Sequence, residues 1–386
     1  MAQSEPSRLS LPPLSLYVHI PWCVRKCPYC DFNSHQRSGA LPEDAYVSAL
    51  VQDVRAALPM VQGRSLGSVF IGGGTPSLFS AYAYERLFSE VQALVPFARD
   101  IEITLEANPG TAERERFADY RRAGITRLSL GVQSFDDLQL QQLGRIHGSD
   151  DARRAVAFAR AAGFDNLNID LMYGLKGQTV EAALRDLEQA HLLAPEHLSW
   201  YQLTIEPNTE FYKRPPVLPE EDTLIDIQES GLAWMTEHGY QRYEISAFAR
   251  QGRRARHNLN YWRFGDYIGI GAGAHGKFTL PAEGRILRTR QHKQPDHYLQ
   301  RAGSGPAECT PIAQDDLAIE YLLNVLRLRE GFTAAQFESL TGLGFDSIEK
   351  QVSSLQTQGL LTQDDNAYRP TVKGEQFLNT VLEAFL

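Results

Sequence analysis

The stretch HIPWCVRKCPYCDFNSH, residues 19–35, contains three of the four cysteines of the 386-residue chain. It follows LSLYV, an apolar and β-branched run that is typical of a buried strand. Cys23, Cys27 and Cys30 are too close together in sequence to form a disulfide framework, whereas one irregular loop can direct all three thiolates to one metal centre. The stretch therefore predicts a metal-binding loop after the first strand.

Two kinds of metal centre are compatible with three cysteines. A structural zinc site needs four protein ligands, and His19, Asp31 or His35 could supply the fourth. A [4Fe–4S] cluster can instead leave one iron open for an external ligand. The cysteine spacing favours the cluster.

Around this loop, short apolar runs alternate with amphipathic stretches up to about residue 247, which is the pattern of repeated βα units. A full TIM barrel has eight such units, and six are present here, so we expect an α/β fold with a partial, open (β/α)6 barrel of parallel strands. The predicted strands are residues 15–20, 68–72, 101–106, 127–132, 167–172 and 198–203. The predicted helices are residues 42–58, 81–95, 111–123, 149–162 and 179–193.

The rest of the chain is less regular. A Pro-rich connection and one more helix lead to a loop-rich region that ends near Pro311, and helical patterns return from Asp315 onwards. The order of helices and one extended piece in that last segment is typical of a winged helix. We therefore divide the chain into a core at residues 1–245, a connecting region at 246–312 and a winged-helix-like C-terminal domain at 313–386.

Charge and hydropathy exclude several classes of protein. The 38 Lys and Arg residues against 47 Asp and Glu residues give a net charge of −9, and the C-terminal segment has no basic recognition helix, so we expect no nucleic-acid partner. The chain has no long apolar run and no secretory signal at its N-terminus. We expect a cytoplasmic protein without a transmembrane segment, for which contact with a membrane surface is still open.

Several polar residues follow predicted strands at the rim where barrel proteins carry their sites. Glu106, Gln133 and Asp170 lie at or just beyond strand ends, and Arg145 follows soon after the fourth strand. Carboxylates can accept from hydroxyl or amino groups, and an arginine can pair with a carboxylate. Gly72, Gly73, Gly74 and Thr75 also follow a strand directly, and the missing Cβ atoms let the backbone approach a ligand closely.

Together these motifs resemble the radical S-adenosylmethionine (SAM) superfamily over roughly 230 residues. Within it, the chain is similar to the branch that contains oxygen-independent coproporphyrinogen III dehydrogenase and the HemW heme chaperones. The motifs that carry the resemblance, besides the cysteine loop, are YVHIPWC (17–23), FIGGGTPS (70–77), LEANPG (105–110), GVQSF (131–135) and IDLMYGLKGQT (169–179).

The resemblance implies a site for each of two cofactors. The three cysteines would bind a [4Fe–4S] cluster, and SAM would chelate its open iron. The residues that the resemblance assigns to SAM are Gly73, Gly74, Thr75, Glu106, Gln133, Arg145 and Asp170. Tyr17, Tyr29 and Phe32 would line the adenine or belong to the core.

A further motif, HNLNYW at residues 257–262, matches the HNxxYW motif of the heme chaperones, in which the histidine is associated with heme. The resemblance therefore implies that His257 is a heme ligand. Arg250, Arg253, Arg254 and Arg256 could pair with heme propionates, and His275 is a second candidate ligand.

The chain departs from the dehydrogenase pattern, which has a further cysteine where this sequence has Phe32 and a longer segment before the first strand. We therefore favour a heme chaperone that transfers heme to an acceptor protein, with respiratory proteins among the candidates. A radical SAM dehydrogenase that oxidatively decarboxylates coproporphyrinogen III is the alternative, and its activity is doubtful because of Phe32. A purely structural zinc site is the third hypothesis.

Overall fold

Six parallel strands form the centre of the molecule, and most of their apolar side chains are buried. The computed structural model describes residues 9–36, 39–111 and 114–386. The elements of the first half are β1 (Leu14–Ile20), β2 (Trp22–Cys23), β3 (His35–Gln36), α1 (Glu43–Val61), β4 (Leu66–Gly73), α2 (Ala81–Leu94), β5 (Phe97–Ala107), α3 (Arg114–Arg122), β6 (Arg127–Gln133), α4 (Asp137–Gln142), α5 (Ser149–Ala161), β7 (Leu167–Tyr173), α6 (Val180–Leu192) and β8 (His197–Gln202).

The barrel strands pair in the order β1-β4-β5-β6-β7-β8, and every neighbouring pair is parallel. The predicted fold class, a partial (β/α)6 barrel, is confirmed. The apolar runs explain why these segments form strands, because residues such as Val18 and Ile20 are completely buried between the sheet neighbours and the helices. Helix starts follow capping rules, as at α2, where the Ser80 side chain accepts from the Ala83 N–H.

The predicted helices agree with the structure to within a few residues. Helix α1 continues to Val61 although its predicted end was residue 58, because Pro59 falls in the last turn, where it removes one hydrogen bond without ending the helix. The predicted helix at 111–123 is seen as α3, and residues 112–113 of that prediction lie outside the described residues. Residues 1–8 of the predicted core lie outside them as well.

After β8 the chain extends the same sheet on both sides. The elements of this part are α7 (Glu210–Lys213), α8 (Glu221–Glu237), β9 (Gln241–Arg242), β10 (Ala247–Ala249), α9 (Arg256–Trp262), β11 (Asp266–Ile270), β12 (His275–Leu280), β13 (Arg285–Arg290), α10 (Pro295–Gln300) and β14 (Glu308–Pro311). Strand β11 pairs in parallel with β1, and β12, β13 and β14 follow in antiparallel order, which gives a sheet of twelve strands.

The expectation of a loop-rich region up to Pro311 is therefore wrong. The glycines of the segment allow two strands to approach closely, since a Cβ at Gly269 would lie 1.8 Å from the backbone oxygen of His275. Helix α9 packs beneath the barrel against β1, β4 and β11. It thereby closes the end of the barrel at which the parallel strands begin.

The C-terminal segment forms a small helical domain with a three-stranded sheet, as the winged-helix pattern predicts. Its elements are α11 (Leu317–Val325), β15 (Phe332–Thr333), α12 (Ala334–Thr341), α13 (Glu349–Thr357), β16 (Leu361–Asp364), β17 (Ala367–Pro370), α14 (Val372–Gln376) and α15 (Leu378–Glu383). Ion pairs join it to the rest of the molecule, as between Arg242 and Glu375 at 2.8 Å. Within the described residues, no helix is both long enough and apolar enough to cross a membrane.

Candidate functional site

A cavity of about 460 Å³ runs through the barrel and is lined by residues of β4 to β8. Its upper end is the rim formed by the C-terminal ends of the strands together with the cysteine loop. Its lower end, the floor, consists of Arg127, His197, His257 and Trp262, which belong to the first residues of β6 and β8 and to α9. The predicted SAM residues other than Tyr17 and the predicted heme ligand His257 line this same cavity.

The cysteine loop places three free thiols at the rim. Cys23 ends β2, which pairs in parallel with β3, and a turn between Cys27 and Cys30 is closed by a backbone hydrogen bond of 3.1 Å. The thiols of Cys23, Cys27 and Cys30 all line the cavity. Burial raises the pKa of the Cys23 and Cys30 thiols, so these groups become thiolates most readily when a bound metal displaces their protons.

The donor set fits a [4Fe–4S] cluster, which three cysteine thiolates can hold while one iron stays open. Among the residues that the structure describes, no three His, Cys, Asp or Glu side chains converge closely enough to hold one metal ion. Each thiolate of a [4Fe–4S] cluster binds a different iron, so its sulfur atoms lie further apart than those around one ion. His19 is also occupied, because its Nδ1 contacts the Tyr17 hydroxyl at 2.8 Å and its Nε2 contacts the Asn33 carbonyl at 2.9 Å.

The glycine loop after β4 is hydrogen-bonded to the cysteine loop and the end of β1. The Gly74 N–H donates to the Ile20 carbonyl and the Thr75 N–H donates to the Trp22 carbonyl, each at 2.7 Å. A Cβ at Gly74 would lie 2.5 Å from the Trp22 oxygen, and one at Gly73 would lie 2.7 Å from the His19 ring. The glycines are therefore required by the close packing of two loops of the chain, in addition to any contact with a ligand.

Two predicted carboxylates face the cavity, and burial raises the pKa of both. Burial, together with the negative charge of Asp170, raises the pKa of Glu106 to about 8. Glu106 accepts from the Gly73 N–H at 3.3 Å, and Asp170 accepts from Ser129 and Asn168 at 3.0 and 2.7 Å. Asp170 lies in the middle of β7, which corrects its predicted place at a strand end: the predicted strand, residues 167–172, already continued past it, as β7 does.

Gln133 and Arg145 stand together at the rim. Gln133 has a φ of 73°, a left-handed conformation that is rare for a residue other than glycine and often marks a functional site. Its Oε1 accepts from the Tyr201 hydroxyl at 2.7 Å. The Arg145 guanidinium donates to the Gly131 carbonyl at 2.7 Å and to the Cys27 sulfur at 3.5 Å, while its Nε is buried without a hydrogen-bond partner among the described residues.

The predicted aromatic residues occupy three different positions. Tyr29 lines the cavity and packs against Phe211, with 6.3 Å between the ring centroids. Phe32 lies at the mouth with 58% of its surface exposed. Tyr17 stands behind the cavity wall, where its ring stacks on Phe70 at 6.1 Å.

His257 is buried at the floor, with 5% of its surface exposed. Its ring stacks on Phe70 at 4.0 Å, and its Nδ1 lies 3.6 Å from Glu102, beyond hydrogen-bonding distance. Burial and the positive charge of Arg127 lower the pKa of His257, against the opposing effect of Glu102. A neutral imidazole, the form that binds metals, is therefore favoured.

The other residues proposed for heme lie away from the cavity or are already paired. His275 is exposed at the start of β12. The four arginines before His257 have partners within the chain, so heme propionates would have to compete for them. Those partners are the Pro195 carbonyl for Arg250, Asp165 for Arg253, Glu330 for Arg254 and Asp100 for Arg256.

Sequence reasoning missed a polar network inside the barrel. Asn168 donates to the Ser129 hydroxyl at 2.8 Å, and its Oδ1 contacts the His197 Nδ1 at 2.6 Å and accepts from the Ser199 hydroxyl at 3.1 Å. Arg127 stands beside this network at the floor. The available signal was the spacing of two polar residues at i and i+2 in each strand, which indicates that one face lines a polar interior; these residues are Arg127 and Ser129 in β6, Asn168 and Asp170 in β7, and His197 and Ser199 in β8.

The chain is similar to families that combine these features. The radical SAM superfamily matches residues 17–190, and the HemN C-terminal domain matches residues 312–377. The heme chaperone HemW of Escherichia coli (strain K12) is 52% identical over 378 residues, which are 98% of this chain and 99% of the relative. The heme chaperone HemW of Haemophilus influenzae is 50% identical over 380 residues, covering 97% of this chain and 98% of the relative.

More distant relatives cover almost the same length. The mitochondrial radical S-adenosyl methionine domain-containing protein 1 of Mus musculus is 36% identical over 385 residues, which are 96% of this chain and 87% of the relative. Among solved structures, coproporphyrinogen III oxidase (HemN) from Escherichia coli, a radical SAM enzyme, superposes with a TM-score of 0.81 at 25% identity. That superposition covers 98% of this chain and 91% of the other, so the fold is shared over both the barrel and the C-terminal domain.

Proposed function

The chain belongs to the HemW family of heme chaperones within the radical SAM superfamily, and from this premise we propose that it binds a [4Fe–4S] cluster, SAM and heme and transfers heme to an acceptor protein. The observation that supports the proposal is that the residues proposed for the cluster, SAM and heme line the same cavity. This cavity is lined by three free thiols, two carboxylates with raised pKa and a buried neutral histidine.

The proposed cluster ligands are Cys23, Cys27 and Cys30. The cluster, when bound and reduced, supplies the electron that radical SAM chemistry requires. Arg145 donates to the Cys27 sulfur, and its positive charge would stabilise the negative charge of the Cys27 thiolate.

Around the cluster, the rim residues would hold SAM. The carboxyl groups of Glu106 and Asp170 can accept from its amino group and ribose hydroxyls, and Arg145 can pair with its carboxylate. Gln133 and Thr75 complete this side of the cavity. Tyr17 would act indirectly, because it supports Phe70 and His19 from behind the wall.

His257 is the proposed heme ligand, since its imidazole lines the cavity and its Nδ1 has no hydrogen-bond partner among the described residues. We keep the division into a core at 1–245, a connecting region at 246–312 and a C-terminal domain at 313–386 as part of the proposal. We also place the protein in the cytoplasm, with respiratory proteins among the candidate acceptors.

The proposal is tested by an anaerobic heme titration of the cluster-reconstituted protein, followed by its Soret absorbance. We expect one saturable equivalent of heme in the wild type. His257→Ala should weaken binding by at least about tenfold, because it removes a metal ligand, while iron and acid-labile sulfide stay unchanged.

His275→Ala is the matched control, since His275 is exposed and lies outside the cavity lining. It should bind heme like the wild type. Absence of saturable heme binding in the wild type would overturn the proposed function, and unchanged affinity in His257→Ala would remove that residue as the ligand.

A further inference from the structure

Arg127 is a buried cation that forms no side-chain hydrogen bond or ion pair with the described residues. It is the first residue of β6, has 1% of its surface exposed and lines the floor of the cavity. Its Nε is buried and makes no hydrogen bond to any described residue, and no described carboxylate forms an ion pair with the guanidinium. An arginine so deep in a protein is normally paired, because an uncompensated buried charge is strongly unfavourable.

The positive charge of Arg127 favours the ionised form of two buried carboxylates, Glu102 and Asp170, but neither forms an ion pair or a hydrogen bond with the guanidinium. Glu102 accepts from the Arg256 N–H at 2.8 Å and lies 3.6 Å from His257. It thereby balances part of the positive field around Arg127 without supplying a hydrogen bond to it. The guanidinium, which offers five N–H donors in a plane, is left facing the cavity.

Two further groups at the floor have unused hydrogen-bonding capacity. The Trp262 Nε1 and the His257 Nδ1 are both buried without a hydrogen-bond partner among the described residues, and both residues line the same cavity as Arg127. Trp262 is fixed from its other side by Arg327, whose guanidinium carbon lies 4.4 Å from the ring centroid. Three neighbouring groups with this property indicate a polar ligand at the floor.

The floor is distinct from the rim. Arg127 and Gln133 are the two ends of β6, about 20 Å apart along the strand, and both line the cavity. Arg145 at the rim is already within reach of the Cys27 sulfur. A ligand group bound at the rim through Arg145 therefore leaves the Arg127 guanidinium without a hydrogen-bonded anion.

We propose that Arg127 binds a carboxylate of a small-molecule ligand at the floor of the cavity. A guanidinium recognises carboxylates through paired, charge-assisted hydrogen bonds, which supply the missing partner. Within the proposed function, on which this assignment rests, the carboxylate comes from a heme propionate, because the carboxylate of SAM is assigned to Arg145 at the rim. His257 beside Arg127 favours heme.

The test compares each ligand with a form that lacks the carboxylate. Heme is compared with heme dimethyl ester, and SAM with decarboxylated SAM, by anaerobic titration and equilibrium dialysis of the cluster-reconstituted full chain. We expect the wild type to prefer heme over its ester by about 10- to 100-fold. Arg127→Met should abolish this preference and Arg127→Lys should keep part of it.

Arg154→Met is the control, since Arg154 is an exposed arginine of α5, and its preference should equal that of the wild type. If the preference for SAM over its decarboxylated form depends on Arg127 instead, the carboxylate site stands and SAM is its source. Equal affinity of the wild type for both members of each pair, or unchanged preferences in Arg127→Met, would overturn the proposal. A wild type that binds no heme would overturn the proposed function, while the SAM comparison would still decide the role of Arg127.

Discussion

Two buried charged residues of this molecule differ in the number of hydrogen-bond partners that the chain provides for them. Asp266, at the start of β11, is completely buried and accepts four hydrogen bonds from within the chain, from Arg64, Lys277 and both the backbone and hydroxyl of Thr279, at 2.7 to 3.0 Å. Arg127, at the start of β6, is equally buried and has none among the described residues. The first arrangement holds two parts of the fold together, and the second is suited to a group that comes from outside the chain.

The same contrast separates structural from functional polar groups elsewhere in the barrel. Asn168 is hydrogen-bonded to its neighbours on β6 and β8 and fixes the interior of the barrel. The thiols, Glu106 and Arg145 at the rim have atoms that the protein leaves incompletely paired. Substitutions of the first kind of group should therefore lower stability, whereas substitutions of the second kind should lower cofactor binding.

The thiols should show the largest effect, because the groups that they bind come entirely from outside the chain. The triple variant Cys23→Ser, Cys27→Ser, Cys30→Ser should lose all iron and acid-labile sulfide after reconstitution. Cys309→Ser should keep both, since Cys309 is exposed on β14. Elemental analysis and visible absorbance measure the result, and cluster retained by the triple variant would contradict the assignment.

The triple variant also tests the link between the cluster and heme release. We expect transfer of heme to an acceptor to be slowed or lost in it. The rate of heme transfer is followed by the change in Soret absorbance. A transfer rate equal to that of the wild type would show that the cluster does not control release.

Removing the carboxylate of Asp266, which is hydrogen-bonded within the chain, should destabilise the fold. Asp266→Ala leaves Lys277 and Arg64 buried without their partner and should lower the free energy of unfolding by about 3–5 kcal/mol. Glu283→Ala breaks an exposed ion pair with Arg285 and should change it by less than about 1 kcal/mol. Denaturant unfolding of the cofactor-free proteins compares them, and equal effects would contradict the structural role of Asp266.

Glu106 should make SAM binding depend on pH. Its pKa of about 8 means that it is largely protonated at neutral pH, while the positive charges of SAM favour the ionised carboxylate. Affinity for SAM should therefore rise about tenfold between pH 6 and pH 8, with release of a proton on binding. Calorimetry in two buffers of different ionisation enthalpy measures both the affinity for SAM and the number of protons released on binding.

Two variants check this assignment. Glu106→Gln should flatten the pH dependence, and Glu206→Gln, at another glutamate of the cavity lining, should keep it. Without ligand, the raised pKa of Glu106 also makes stability fall as the pH rises from 4.5 to about 8, because the folded protein holds a proton that the unfolded chain has released. A pH dependence that is unchanged in Glu106→Gln would assign it to another group.

The smallest effect is expected for the stability of Arg127→Met. Because the guanidinium has no hydrogen bond or ion pair to a described residue, this variant should unfold within about 1 kcal/mol of the wild type or be more stable. Arg64→Met removes a buried arginine that does have partners, Asp266 among them, and should destabilise the protein. If Arg127→Met destabilised the cofactor-free protein as much as Arg64→Met, Arg127 would be structural and the contrast with Asp266 would fail.

The sequence allowed the rim to be predicted because local patterns determine it. Apolar runs define where each strand ends, and Glu106 and Gln133 follow from those ends. The cysteine spacing indicates a metal loop without knowledge of the fold. Asp170 was placed at a strand end although the strand predicted at 167–172 already continued two residues past it, and β7 adds one more.

The floor and the outer strands could not be predicted in this way. The pairing of Leu14 with Asp266 joins segments that are far apart in the chain, and no local pattern encodes it. The glycines of β11 and β12 were taken as loop residues although they serve close strand packing. Arg127 was read as part of an apolar strand, whereas its side chain belongs to the polar face that only the closed barrel defines.

The measurement that tests the account most directly is the dissociation constant for heme of the reconstituted wild type with and without saturating SAM. Cavities of a few hundred Å³ usually take one ligand of moderate size, and this one, at about 460 Å³, is lined by the residues proposed for both. We predict that SAM changes the heme dissociation constant by at least about fivefold, with a reciprocal effect of heme on SAM. Identical heme affinities in the two conditions would contradict a shared cavity.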